Sequence, residues 1–400
     1  MNNITAFEKK LCLSSATMHG DEQQFVKETL GTTWGFDVDP HLSELEKIAA
    51  ANVGMPYGVA LSSGTAAIHL AIKLAGVKEG DNVFCSDMTS SATVNPVSYE
   101  KAHPIFIDNE YDTWNMDPVA LEQAFKLYPN TRVVILAHLY GTPAKLDEIL
   151  SICKKHNAIL IEDAAESLGA TYKGKQTGSF GMYSVISYGD NKIITCSNGG
   201  MLFTQDKESA DKARKWVTQA SENASLEQLV MLDSGYRMSN ILAGIGLGQY
   251  LHLAEHLAKK RAIFERYQDG LKDLPITMNP YEADKASPSH WLSCLLISPE
   301  AMCRQVRGEK EALYVKEAGK SCPTHLMETL AKYNVESCPM WKPMHLQPLY
   351  HENPFVSKDG NGKADVGADV FNRGLCLPSD IKMTPEQQDV VIEIIKECFK

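Results

Sequence analysis

The stretch Ala158-Ile159-Leu160-Ile161-Glu162-Asp163 is a run of apolar residues closed by two acids. An unbroken apolar run of this length, without alternation, reads as a strand buried on both faces, as in a parallel sheet covered by helices. Acids at the C-terminal end of such a strand stand where open α/β sheets place their ligands. Side chains alternate along a strand, so Glu162 and Asp163 face opposite ways and only one of them enters a site there. The same acids also read as the cap of a helix opening at Ala164-Ala165-Glu166, and the stretch alone leaves both readings open.

Working outward, residues 82–85, 104–107 and 132–137 are further short apolar runs. Residues 42–51 and 65–75 carry helical patterns, the second apolar nearly all round and therefore buried. Asp117-Pro118 opens another helix, with Asp as N-cap and Pro at the first helical position. Strand and helix alternate in this way to about residue 203, which predicts an α/β domain with a mostly parallel sheet. A helical stretch over 241–267 leads into the polar, proline-bearing segment 273–289, the candidate domain boundary. The chain is thus divided into an N-terminal segment and large domain over 1–273 and a smaller α+β domain over 274–400, which ends in an amphipathic helix at 385–399. A length of 400 residues fits such a two-domain division.

The formal charge of −11 is spread along the chain with no basic block, which argues against a nucleic-acid partner. No apolar run reaches membrane-spanning length, and the opening MNNITAFEKKLCLSS lacks the features of a signal peptide. No membrane association is expected, and the expected location is the cytoplasm. The ten cysteines are scattered without metal-like spacing and read as reduced thiols.

Two further features join the strand-end acids. Ser62-Ser63-Gly64-Thr65 directly precedes a helix, where a serine cap, a glycine and first-turn N–H groups form a natural cradle for a phosphate. Twenty-nine residues beyond Asp163 lies Ser187-Tyr188-Gly189-Asp190-Asn191-Lys192, with Lys192 between two strand-like runs. Partial desolvation there frees a lysine amine as a nucleophile. Singly, these features read as a capped helix and a surface-loop lysine. Together they match the three handles of pyridoxal 5'-phosphate (PLP): phosphate at Gly64-Thr65, ring nitrogen at Asp163, and aldehyde at Lys192 as a Schiff base.

The motifs Ser63-Gly-Thr-Ala-Ala67, Ile161-Glu-Asp-Ala-Ala-Glu166, Asn191-Lys-Ile-Ile-Thr195 with Gly199-Gly200-Met201, Tyr236-Arg-Met-Ser-Asn240 and Trp341-Lys-Pro-Met-His345 resemble the DegT/StrS sugar aminotransferases. The resemblance runs from about Trp34 to the C-terminus. It implies PLP fold type I (aspartate-aminotransferase-like) and a homodimer with active sites at the subunit interface. By position it implies that Lys192 carries the cofactor, Asp163 pairs with the pyridine nitrogen, and Gly64, Thr65 and Ser187 hold the phosphate. It also sets Glu166 near the ring hydroxyl, with His345 and Arg237 toward the substrate. Glu166 and the Gly-Asp-Asn-Lys sequence resemble the branch acting at C4 of 4-keto-6-deoxy nucleotide sugars. The expected reaction is amino transfer, with glutamate as donor and a UDP-linked sugar preferred to a GDP- or dTDP-linked one.

Three positions depart from the family pattern. Ser90 stands where an aromatic ring usually covers one face of the cofactor, Gly235 replaces an asparagine expected to reach the partner subunit's phosphate, and Cys338 replaces an arginine. These departures predict weaker hold on PLP, and they are the support for a competing class, a non-catalytic sugar-nucleotide binder. A PLP-dependent dehydratase is the other alternative, but such relatives replace the lysine with histidine. Two decoys read as structure: Gly244-Ile-Gly-Leu-Gly248 as close helix packing and not a dinucleotide loop, and His252 with His256 as a helix surface lacking a third metal ligand.

Overall fold

The computed structural model describes residues 4–31, 40–217, 235–308, 312–360 and 362–400; Trp34 and Asp233-Ser234 lie outside them. Its central sheet is built from β1 (Tyr57–Leu61), β2 (Asn82–Ser86), β3 (His103–Ile107), β4 (Val133–Ala137), β5 (Ile159–Asp163), β6 (Tyr183–Ser187) and β7 (Gly200–Thr204). They lie in the order β1-β7-β6-β5-β4-β2-β3, and Phe355–Val356 extends the sheet beyond β3. Every pairing is parallel except those of β7 with β1 and β6. β7 alone therefore runs against the rest, and the C-terminal ends of β1, β4, β5 and β6 meet along one edge of the sheet. Val133 to Ala137 are all buried, as are Leu160 to Asp163. That is why these strands lack the alternation of a half-exposed sheet.

Of the four N-terminal helices, α2 (Pro40–Val53), α3 (Gly64–Leu74) and α4 (Ser91–Tyr99) flank this sheet, while α1 (Asp21–Leu30) packs on the helix Asn240–Leu251. α3 starts where β1 ends. Ser63 caps it, its Oγ accepting from the N–H of Ala66 at 3.1 Å, and the helix then buries Ala66, Ala67, Ile68, Leu70, Ala71 and Ile72. Asp117 caps the helix Pro118–Leu127 as the sequence predicts, accepting from the N–H of Val119 at 2.7 Å.

The smaller region is an antiparallel sheet of Ile276–Met278, Ser293–Ile297, Gly374–Leu377 and Cys338–Pro339. Residues of the helices Leu253–Gly270, Pro323–Lys332 and Pro385–Glu397 share one buried core with it, including Tyr267, Leu326 and Ile395. A capping box, Thr384 with Gln387, fixes the start of the last helix. Among the described residues no helix is long and apolar enough to cross a membrane.

The cores do not divide cleanly at residue 273. The N-terminal segment returns to the smaller region, where Leu11 bridges Val335, while Phe355–Val356 joins the large sheet. The polar segment 273–289 holds an edge strand of the small sheet and a second strand, Ala286–Ser287, pairing with Thr171–Tyr172 of the large domain. The helical stretch 241–267 is two helices, Asn240–Leu251 and Leu253–Gly270, broken at His252 (φ −109°, ψ 5°).

Candidate active site

The shared strand edge opens into a cavity of about 170 Å³. Ser63, Gly64 and Thr65 from the start of α3, Asp163 from β5, Ser187 from β6, and Glu166 and Lys192 from the loops beyond all line it. The structure thus brings together six of the eight residues singled out in the sequence, leaving aside Arg237 and His345.

Asp163 is buried and points into the cavity, while its neighbour Glu162 turns away to His138. Asp163 Oδ1 accepts from the N–H of Ala165 at 3.1 Å, and Oδ2 accepts from the Thr93 hydroxyl at 2.6 Å. Thr93 is in turn paired with Thr89 at 2.7 Å. Donors on both oxygens fix the orientation of the carboxyl group. An anion fixed in this way suits a protonated ring nitrogen. Burial alone would raise the Glu162 carboxyl, but bonds from His138 and from the N–H groups of Gly178 and Phe180 hold it below the usual range.

Lys192 lies in the turn between β6 and β7, its ammonium 4.2 Å from the centre of the Trp291 ring and 3.9 Å from Glu166 Oε1. Glu166 is fixed by two donors, the N–H of Tyr140 at 2.8 Å and the indole N–H of Trp341 at 3.2 Å. Burial pushes its carboxyl upward, and the Lys192 ammonium pulls part of that back. Tyr140 sits in the left-handed region (φ 53°), and its hydroxyl accepts from the N–H of Trp341 at 2.6 Å. Two turns distant in sequence are thereby locked over Lys192.

At the other end of the cavity the first N–H groups of α3 face the Ser187 hydroxyl. A Cβ on Gly64 would stand 3.0 Å from Ser187 Cβ and 3.2 Å from its Oγ, so a side chain there would fill the cradle. A helix N-terminus, a hydroxyl and a glycine are the donor set an anionic phosphate needs. PLP therefore fits the residues present, with phosphate, ring nitrogen and aldehyde each facing a matching group.

Other residues stand differently from the sequence reading. His345 is outside the cavity lining. Its Nδ1 meets Asp87 Oδ2 at 2.7 Å and its Nε2 meets Asp365 Oδ2 at 3.2 Å, while its ring stacks on Phe355. Burial lowers its pKa, but the two carboxylates more than reverse this and raise it to about 9. Arg237 is half-buried and bridges Leu61, beside the α3 cradle but not in the cavity lining. Ser90 does line the cavity and also caps α4, accepting from the N–H of Ala92 at 3.1 Å. Cys338 pairs in register with Cys376 in the small sheet, and all ten cysteines are free. The glycines of Asn240–Leu251 pack closely as predicted, but against α1 of the same chain: a Cβ on Gly248 would lie 2.6 Å from Glu22 N.

The histidine pair is a helix surface in part only: His252 is half-buried beside Asp21. His256 is buried, its Nδ1–H donating to the carbonyl of Ile193 at 2.8 Å, and a third histidine, His19, meets its Nε2 at 2.8 Å. His19 stacks on His252 with ring centres 3.7 Å apart and planes within 8°, and with Glu255 these two supply the third candidate metal ligand that the sequence reading lacked, their ligand atoms all within 4.8 Å of one another. Sequence reading also missed Thr93, Tyr140, Trp291 and the contact of Trp341 with Glu166, because each acts on a residue far away in the chain.

The model of the DegT/DnrJ/EryC1/StrS aminotransferase family matches residues 16–396. A putative pyridoxal phosphate-dependent aminotransferase, EpsN of Bacillus subtilis (strain 168), is 42% identical over 395 residues, covering 98% of this chain and 96% of that protein. GDP-perosamine synthase of Caulobacter vibrioides is 31% identical over 394 residues, covering 98% of each. The fold resembles the PLP form of the putative sugar aminotransferase Spr1654 from Streptococcus pneumoniae. The TM-score is 0.83 at 22% identity, over 98% of this chain and 100% of that one. The chain belongs to this family and is a PLP-dependent aminotransferase.

Proposed function

We propose that this member of the DegT/DnrJ/EryC1/StrS aminotransferase family transfers an amino group, from glutamate, to the C4 carbonyl of a 4-keto-6-deoxy nucleotide sugar. The observation that carries the reading is the convergence of Lys192, Asp163 and the Gly64-Thr65 cradle on one cavity. PLP supplies the aldehyde that receives the amino group and a ring that accepts electrons from the developing carbanion. Asp163 keeps the ring nitrogen protonated. Gly64, Thr65 and Ser187 bind the phosphate, and Glu166 accepts a hydrogen bond from the ring hydroxyl. Lys192 would hold the cofactor through its aldehyde and, with its amine free, would serve as the acid–base group that moves the proton. His345 acts indirectly, by pinning the Trp341–His345 turn whose indole reaches Glu166. Arg237 stands near the cradle and contacts the substrate. The protein works as a homodimer.

Glu166 and the sequence Gly189-Asp190-Asn191-Lys192 support action at C4, and a UDP-linked sugar is the first reading of the nucleotide. A GDP-linked sugar is the second reading, favoured by the name of the Caulobacter vibrioides relative. Glutamate added to the yellow protein should bleach the cofactor band, and UDP-, GDP- and dTDP-linked 4-keto-6-deoxy sugars should restore it at different rates. Borohydride reduction and peptide mapping should then find the cofactor on Lys192. A tag on Lys173, whose ammonium instead pairs with Asp147 at 2.6 Å, would refute the assignment.

A further inference from the structure

Lys260, on the helix Leu253–Gly270, is only 3% exposed although it is a lysine. Its ammonium donates to Ser379 O at 2.7 Å, Trp291 O at 2.9 Å and Ser14 Oγ at 3.1 Å. Three donors meet three neutral oxygens, with no carboxylate among them. The Trp291 so held is the ring that carries Lys192 on its face, and its indole N–H donates to Asn191 O at 2.7 Å, one residue before Lys192. A second, small cavity of about 10 Å³ is bordered by both lysines together with Thr17, Thr195 and His256. That is roughly the room one water needs, and the buried hydroxyl of Thr17 has no protein partner there.

We propose that Lys260 is a positioning residue for Lys192: it fixes the Trp291 ring and, as a second cation on the same small cavity, biases the Lys192 nitrogen toward its uncharged form. The inference rests on Lys192 being the lysine that holds the cofactor. The physics is a balance of signs. The Lys192 nitrogen lies between Glu166 and the Trp291 ring on one side and, across the small cavity, a second lysine on the other. Burial also draws Lys260 itself down to about 7, against the pull of Asp380. The groups facing Lys260 are Ser14 from the N-terminal segment, the Trp291 carbonyl, Ser379 and Asp380 from the loop after Gly374–Leu377, and across the cavity Lys192 and His256. Asp380 is itself engaged by Ser15 and by the N–H of Lys382, which leaves Lys260 without direct neutralisation.

The test is a spectrophotometric pH titration of the holoenzyme, following the visible cofactor band that reports protonation at the Lys192 nitrogen. Lys260→Met removes the cation at similar volume, and Lys260→Gln removes it but keeps donors, which guards against a folding failure of the first. Both should move the midpoint upward, by about one pH unit where it lies below about 7 and Lys260 carries its charge, the sign expected on losing a like charge. Lys260→Arg, charged throughout, should leave the midpoint at or below that of the wild type. Unmoved midpoints in the two neutral variants, or shifts of one sign in all three, would overturn the inference. Borohydride mapping separates the two levels: a tag on Lys192 with unmoved midpoints overturns this inference alone, and a tag elsewhere overturns the assignment beneath it.

Discussion

The cavity has two unlike walls. Its inner wall consists of strand ends and a helix start, with Ser63 and Gly64 after β1, Asp163 at the end of β5, and Ser187 at the end of β6. Their backbones are held by sheet register, and each side chain is placed by the two-residue period of its strand. Its outer side is backed by turns, of which His138 alone reaches the cavity lining: 138–142 with Tyr140 in the left-handed region, 289–291 with His290 at φ 51°, and 340–345 from the smaller region. These turns are held by side chains instead, chiefly Trp341 on Glu166 and His345 between Asp87 and Asp365. On the proposed function the roles would divide the same way: the strand-built wall would hold the cofactor, and the turn-built side would set access and substrate. Changes in the first should destroy the reaction, and changes in the second should tune it.

The sharpest way to break that comparison is Asp163→Asn. The amide keeps the volume and can still meet Thr93, but it cannot hold the ring nitrogen protonated. Turnover should fall by roughly a hundredfold or more, as on removing one preorganised electrostatic partner. PLP affinity should change by less than about tenfold, because the phosphate cradle is untouched. Comparable turnover at saturating PLP would show that the strand end carries no electrostatic duty.

A smaller effect should appear on the outer wall. His345, near 6.5 when unfolded, is raised to about 9 by its two carboxylates. A raised folded value contributes stability that is complete below about pH 6.5 and is lost as pH rises through 9. Two and a half units correspond to about 3 kcal/mol. Asp87 offsets part of this, since burial displaces its own carboxyl upward despite the imidazolium. Denaturant midpoints at pH 6 and 9.5 should therefore show wild type losing about 1–3 kcal/mol more than His345→Gln. Lys260, lowered by burial, changes stability in the opposite direction with pH, but it is common to both proteins and cancels. Equal losses would mean that the Asp87-His345-Asp365 arrangement carries no stability.

The same division explains what the sequence disclosed. Asp163, Gly64, Thr65, Ser187 and Lys192 lie in short motifs whose meaning depends on neighbours a few residues away: a strand period, a cap, a turn. What short motifs cannot disclose are pairs that only folding brings together, such as Trp341 with Glu166, 175 positions apart, and Thr93 with Asp163, 70 apart. No periodicity points from one to the other. His345 shows the cost: its motif was visible, but two acids from other elements, Asp87 and Asp365, decide where its ring faces. Lys260 was illegible for the same reason, being one lysine among several on a helix until its buried oxygen partners are known.

Ser90→Phe probes the seam between the walls and should have the smallest net effect. Ser90 borders the cavity where relatives carry an aromatic ring, so a phenyl group there would lie on the cofactor and add roughly 0.5–1.5 kcal/mol beyond area burial. Its hydroxyl, however, also caps α4, and losing that cap costs about 1 kcal/mol of stability. The two terms fall on different observables, the ring on binding and the cap on folding. They are coupled through Thr93, which sits in the first turn of α4 and donates to Asp163. A start of α4 that frays would loosen that hydrogen bond and return part of the gain. PLP titrated into the apo forms should therefore bind the variant more tightly by no more than about tenfold, at 1.4 kcal/mol per decade. The thermal midpoint of the apo variant should drop by a few degrees. Weaker binding by the variant would show that the cofactor depends on α4 as a support for Asp163 more than on any ring above it, and would move Ser90 from the seam to the holding wall.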